Sequence, residues 1–242
     1  MRKKGWYNGI LLLLALFLLW YGVVVLRGQE YYYISWGILM LGLIGFFLRF
    51  EKSRPGAALL TMIAALCGVA IASRIAFFFL PQMKPVAAVV IIAGVAFGAE
   101  VGFVTGAVTM FVSNFYFMQG SWTPFQMFAM GLIGFFAGVL LRRREGAQPS
   151  GFSYKERIIS ALYGFFSVVI LYGGIVELNT LFFTVQEPSV AAVFAVYLQG
   201  LPFNLLFGAS TAVFLFFLYH PVLARLQRIQ KKYRLIDKEE KT

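Results

Sequence analysis

A small set of polar and amphipathic side chains interrupts the apolar stretches of this 242-residue chain: Arg74, Asn114, Gln119, Trp122, Gln126, Asn179, Gln199 and Asn204. Amides and a guanidinium offer hydrogen-bond donors and acceptors but no nucleophile and no proton-transfer group at neutral pH. Their chemistry is therefore recognition of a polar solute. Catalytic patterns do not accompany them. The chain has one histidine and one cysteine, His220 and Cys67, no H-E-x-x-H, no phosphate-binding G-x-x-x-x-G-K-[ST] and no paired acids within an apolar run. The sequence thus predicts neither an enzyme nor a metal centre, and no bound cofactor.

The elements that hold these residues are set by composition. The chain is 60% hydrophobic, 13% charged and has a mean hydropathy of +0.80, whereas a soluble domain carries about 25% charge. Spanning helices need about 20 apolar residues each. Eight spans are predicted: Tyr7–Leu26, Tyr33–Phe50, Gly56–Leu80, Pro85–Ala99, Val101–Met118, Pro124–Leu141, Ile158–Leu178 and Ser189–Tyr219. The fourth is short for a crossing and fits a helix buried inside the bundle, with Gly98–Gly102 as a tight turn. One long helix over both halves would leave seven spans and reverse the charge bias beyond it. The last span is too long, and Pro202 predicts a kink or break within it. Met1–Leu26 has no A-x-A-like cleavage site after it and reads as an uncleaved first span.

Charge orients the bundle. Of the 21 Lys and Arg, all but Arg27, Lys84 and Arg74 fall at the chain start, around Arg49–Arg54, in the Arg142–Arg157 loop, or from Arg225 onward. Placing those clusters inside follows the positive-inside rule and puts both termini in the cytoplasm of a bacterial-type plasma membrane. The net charge of +11 is then accounted for by topology and anionic lipid, without nucleic acid. In this frame Arg74 lies about 27 Å up its span, and the other polar residues also fall toward the outer side, consistent with one outward-facing pocket.

Each residue has a structural reading beside the functional one. Arg74 either snorkels to the outer headgroups or lines the pocket. Thr123-Pro124-Phe125-Gln126 has the form of a helix start, with Thr123 as N-cap and Gln126 closing a capping box. Asn114 can bond a neighbouring helix. Glu177 and Asn179 read as surface-loop residues, Trp122 as part of an interfacial belt, and His220 as a helix-end residue. Small residues form rows: Ala64, Gly68, Ala72 and Ala76 on the third span, Gly102 with Gly106, and Gly134 with Gly138. Such rows admit close helix approach. Packing within the bundle is the favoured reading for the glycine pairs; for the third span a partner protein is an equal reading.

Two stretches carry a family resemblance. One is Ser73-Arg74-Ile75-Ala76-Phe77-Phe78-Phe79-Leu80-Pro81-Gln82-Met83-Lys84-Pro85. The other is the run S-N-x-x-x-x-Q-G-x-W-T-P-x-Q-M from Ser113 to Met127. Over about residues 55–219 the chain resembles an S component of an energy-coupling factor (ECF) vitamin transporter, most like the cobalamin-type members. The resemblance implies an all-α polytopic membrane bundle: residues 1–54 as two extra N-terminal spans, 55–220 as a six-helix substrate-binding core, 221–242 as a basic cytoplasmic tail. It also implies a non-catalytic subunit that binds a vitamin, with cobalamin or a precursor as first expectation. Such a subunit docks through small residues of its first core helix, here Ala64, Gly68 and Ala72, on a transmembrane coupling protein that carries two cytoplasmic ATPases. ATP is used by those partners. On this reading Phe77–Pro85 is an outer gate loop, and the eight residues named at the outset line the pocket. A self-sufficient ion-coupled carrier and a structural membrane protein are the competing classes.

Overall fold

The computed structural model describes residues 31–53, 55–142, 154–185 and 189–233. The expected first span, Tyr7–Leu26, lies outside them, as do most of the Arg142–Arg157 loop and the end of the basic tail. All regular structure among the described residues is helical. α1 is Tyr31–Lys52, α2 Ala57–Ala76, α3 Val86–Phe97, α4 Ala99–Phe117 and α5 Trp122–Leu140. α6 (Tyr154–Phe166) runs through a π-helical stretch, Ser167–Tyr172, into α7 (Gly173–Thr184). α8 is Val190–Tyr233. Among the described residues four segments are long and apolar enough to cross a membrane: Ala57–Ala76, Trp122–Leu140, Tyr154–Thr184 and Val190–Tyr233. The polytopic all-α bundle expected from composition is what the chain forms.

α3 is the axis of the bundle. Every residue from Val86 to Phe97 except Val89 is buried, and the helix touches α2, α4, α5, α6 and α8. A helix surrounded by helices can be apolar on all sides, which accounts for a segment with no polar face. It is separated from α4 by Gly98 alone, at φ +104°. Only glycine takes this conformation without strain, so two helices reverse direction in one residue. The turn is narrower than the Gly98–Gly102 stretch expected: Gly102 already lies inside α4. There a Cβ would sit 2.7 Å from the Gly94 Cα and collide with the Gly134 carbonyl. Gly94, Gly102 and Gly134 thus let three backbones meet, and Gly138 packs as closely on Ala99. The glycine pairs serve packing inside the bundle, as favoured from sequence.

Two further differences from the sequence reading concern α8. Pro202 neither breaks nor ends it; the helix runs on through Pro202 and Pro221. A proline removes one backbone hydrogen bond, a loss the helix tolerates here although Pro202 itself is exposed. In consequence His220 is a buried residue within a helix, not at its end. α1 is joined to the rest of the bundle by aromatic packing. Phe46 stacks on Phe103 of α4 at 3.8 Å between ring centroids, and the Phe128 ring of α5 lies against Gly42.

Candidate functional site

The polar residues gather at the end of the bundle that carries loop 77–85, here called the upper end. α2 brings Arg74 there with a buried side chain, 8% exposed. The guanidinium does not snorkel. Its Nη1 donates to the Ser113 hydroxyl, to Asn114 Oδ1 at 2.9 Å and to the Met110 sulfur at 3.5 Å, all on α4. Its Cζ lies 4.4 Å from the centroid of Phe117, a cation–π distance. Asn114, 1% exposed, continues the chain of bonds. Its Nδ2 donates to Thr123 Oγ1 at 3.1 Å and Gln126 Oε1 at 2.9 Å. Thr123 in turn donates to Gln119 Oε1 at 2.9 Å and accepts from the Gly120 N–H. Arg74, Asn114, Gln119 and Gln126 are therefore one network across α2, α4 and α5.

The capping box expected at Thr123 is not made. α5 begins at Trp122, with Ser121 before it and no side-chain cap bond. The physical reason is competition: the Thr123 hydroxyl and the Gln126 amide are occupied by Asn114, so neither is available to the helix terminus. Trp122 is 38% exposed and its ring rests on Gly120. Beside the network a groove of about 480 Å³ opens, bounded by Trp36 and Met40 of α1, Phe111 of α4, and Gln119, Ser121 and Thr123. One wall of it comes from the extra helix.

A second polar group lies between α7 and α8. Asn204 Nδ2 donates to Glu177 Oε1 at 3.4 Å, and the carboxylate packs so closely on Gly200 that a Cβ there would run into it. Tyr197 Oη donates to the Gly174 carbonyl at 2.8 Å. Glu177 and Asn179 thus lie within a helix, not in a loop. Asn179 is buried with its Oδ1 lacking a partner, and Gln199 is exposed on α8. Neither joins a network with the other sequence-predicted residues.

Sequence reasoning missed four participants. Phe117 and Ser113 lie inside the quoted S-N-x-x-x-x-Q run, and their spacing from Asn114 on a helix was the available signal. Tyr172 had none. It falls at the end of the π-helical stretch, packs on Phe207 with ring centroids 5.3 Å apart, and lies within electrostatic reach of both Arg74 and Glu177. π-helical insertions tend to mark functional sites. Lys84, in the loop before α3, places its Nζ 5.5 Å from the same Phe117 ring. Burial, and then the Arg74 charge, lower its pKa from the ordinary lysine value.

On the other side of α2 the small residues look outward. Ala64, Gly68 and Ala72 are exposed, and a Cβ on Gly68 would meet nothing within 4 Å. At the lower end Arg49 pairs with Glu100 at 2.7 Å, and the Arg142 side chain covers Gly98.

The arrangement defines a class: a polytopic helical membrane protein with a polar, charge-bearing network at one end and an open small-residue helix face. Residues 56–224 match the family model described as "ECF-type riboflavin transporter, S component", and the chain belongs to that family. It is thus a transport protein of the substrate-binding type that works with a transmembrane coupling protein and two ATPases. No match was found among curated proteins or among solved structures.

Proposed function

We propose that this chain captures a compact vitamin at its upper end and delivers it to a coupling protein through α2. The observation that carries the reading is the network in which Arg74, Asn114 and Gln126, from three helices, meet in the interior of an otherwise apolar bundle. Polar groups are costly within a membrane and are kept where they serve a solute path. Arg74, Asn114, Gln119, Trp122, Gln126, Asn179, Gln199 and Asn204 are the proposed binding residues. Tyr172 and Lys84 are added from their positions beside Arg74. Loop Phe77–Pro85 gates the site. Ala64, Gly68 and Ala72 form the docking face, since all three are exposed and a Cβ added at Gly68 meets nothing within 4 Å.

The family description names riboflavin, and this favours a flavin-type substrate over the cobalamin first expected from sequence. The test is to purify the full chain in mild detergent and identify what accompanies it by visible absorbance and mass spectrometry. A flavin spectrum supports the proposal in full. A corrinoid keeps the mechanism and replaces the substrate. A protein that is empty and binds none of a panel of vitamins refutes the binding-subunit reading.

A further inference from the structure

Among the described residues, the buried cation Arg74 has no counter-ion. All its partners are neutral: a hydroxyl, an amide oxygen, a thioether and an aromatic face. Among the described residues no carboxylate lies within ion-pair distance of Arg74 or Lys84; the ion pair found, Arg49–Glu100, is at the opposite end. Glu177 is turned to Asn204 and Gly200. A lone charge away from water is strongly unfavourable unless it is paired, and more so within a bilayer. Lys84 compounds the problem, because it brings a second cation to the same Phe117 ring.

Donors remain for a further partner. A guanidinium has five N–H groups in a planar fork, and every hydrogen bond that Arg74 makes comes from Nη1. Nε and Nη2 make no hydrogen bond among the described residues. The backbone supports the same location. The two non-glycine residues with left-handed backbone among those described are Gln82 (φ 55°) and Met118 (φ 74°). One lies two residues before Lys84, the other immediately follows Phe117. Such conformations are unfavourable for side-chain-bearing residues and cluster where a ligand is clamped.

Resting on the binding-subunit reading, we propose that the substrate carries an anionic group, a carboxylate or a phosphate, that seats between Arg74 and Lys84. A planar fork suits such an oxyanion in bidentate fashion. Riboflavin is uncharged at neutral pH and lacks this group; its phosphate ester has it, as do the vitamin acids.

The experiment is calorimetric titration of the full-length chain in phosphatidylcholine nanodiscs with matched pairs: flavin mononucleotide against riboflavin, nicotinate against nicotinamide, pantothenate against pantothenol. Zwitterionic lipid removes anionic headgroups as competitors. The expected result is one anionic member binding at least tenfold tighter than its neutral partner, with Lys84→Gln cutting that ratio severalfold while the unfolding temperature is kept. Which pair responds separates phosphate from carboxylate. Equal affinity of acid and neutral partner, unchanged in Lys84→Gln, overturns the anionic-group proposal and leaves the binding-subunit reading standing. No binding of any member to folded protein overturns both.

Discussion

The sharpest perturbation is Asn114→Asp, which supplies from within the chain a negative charge that Arg74 lacks among the described residues. The Arg74 Nη1 to Asn114 Oδ1 distance is 2.9 Å, so an aspartate at this position sits against the guanidinium without rearrangement. Opposite charges about 4 Å apart at an effective dielectric of about 20 attract by about 4 kcal/mol. That corresponds to roughly three decades in affinity which an anionic ligand would have to compete away. Lys84 is unaffected and retains part of the attraction, so the expected loss is about 10–100-fold in affinity for the tightest-binding anionic vitamin. Stability should move differently. Asn114→Ala removes one bond to a charged group, about 1.5–3 kcal/mol, and two neutral interhelical bonds of about 0.6 kcal/mol each. It is therefore expected to unfold more easily by about 3–4 kcal/mol. Asn114→Asp gives up the two Nδ2 bonds but gains an ion pair, and should unfold at a higher temperature than Asn114→Ala. Calorimetric titration and thermal unfolding in nanodiscs read both quantities. An Asn114→Asp protein that binds the anionic ligand as tightly as wild type would refute the reasoning.

Gly134→Leu and Gly68→Leu place the same bulk on two small-residue rows and should give opposite results. The first collides with the Gly102 carbonyl and with Val90, and overpacking of this kind costs about 1–3 kcal/mol or more; expression of folded, monodisperse protein should fall sharply. The second starts from an exposed position where a Cβ has nothing within 4 Å, so folding and ligand binding should survive while uptake driven by the coupling protein and ATPases is lost; retained transport would remove α2 from the docking face. Arg49→Gln breaks an ion pair whose arginine is 64% exposed, and the unfolding free energy should change by less than about 1 kcal/mol. Lys155→Cys should react with a membrane-impermeant maleimide in inverted vesicles and not in right-side-out ones, against a low background because Cys67 is buried; the reverse pattern would invert the topology.

Bundle architecture was legible because each helix carries its own apolar run, and the charge clusters flank those runs. Even the short α3 could be read as an interior helix, because it is too short for a crossing and its ends need not reach the headgroups. Local rules failed where tertiary contacts claimed the same atoms. Thr123 and Gln126 have the spacing of a capping box, but Asn114, on another helix, takes both side chains. Pro202 has the sequence of a helix break, yet α8 continues past it, since one missing backbone bond does not end a helix held along the rest of its 44 residues. Arg74 could be placed by depth, and both of its readings were consistent with depth alone; choosing between them needed the positions of Ser113, Asn114 and Phe117. Tyr172 was out of reach, since a π-helical register shift has no side-chain signature in one sequence and changes which residues face inward by about one position.

α2 ties the two proposed surfaces together. Successive residues of an α-helix are about 100° apart, so Arg74 lies about 200° around the helix from Ala72, on the opposite face. One face is exposed at Ala64, Gly68 and Ala72, and the other holds the buried guanidinium. The helix between them is continuous from Ala57 to Ala76. A shift or tilt of this rod on docking therefore moves Arg74 relative to Asn114 and Phe117 directly, and Lys84, in the loop that follows, with it. Release of an anion held by Arg74 and Lys84 then needs no long relay through the bundle, because separating the two cations from α4 already weakens the site. The same geometry explains why Lys84→Gln and Gly68→Leu must be compared: the first acts on the ligand without touching the docking face, the second on the docking face without touching the ligand.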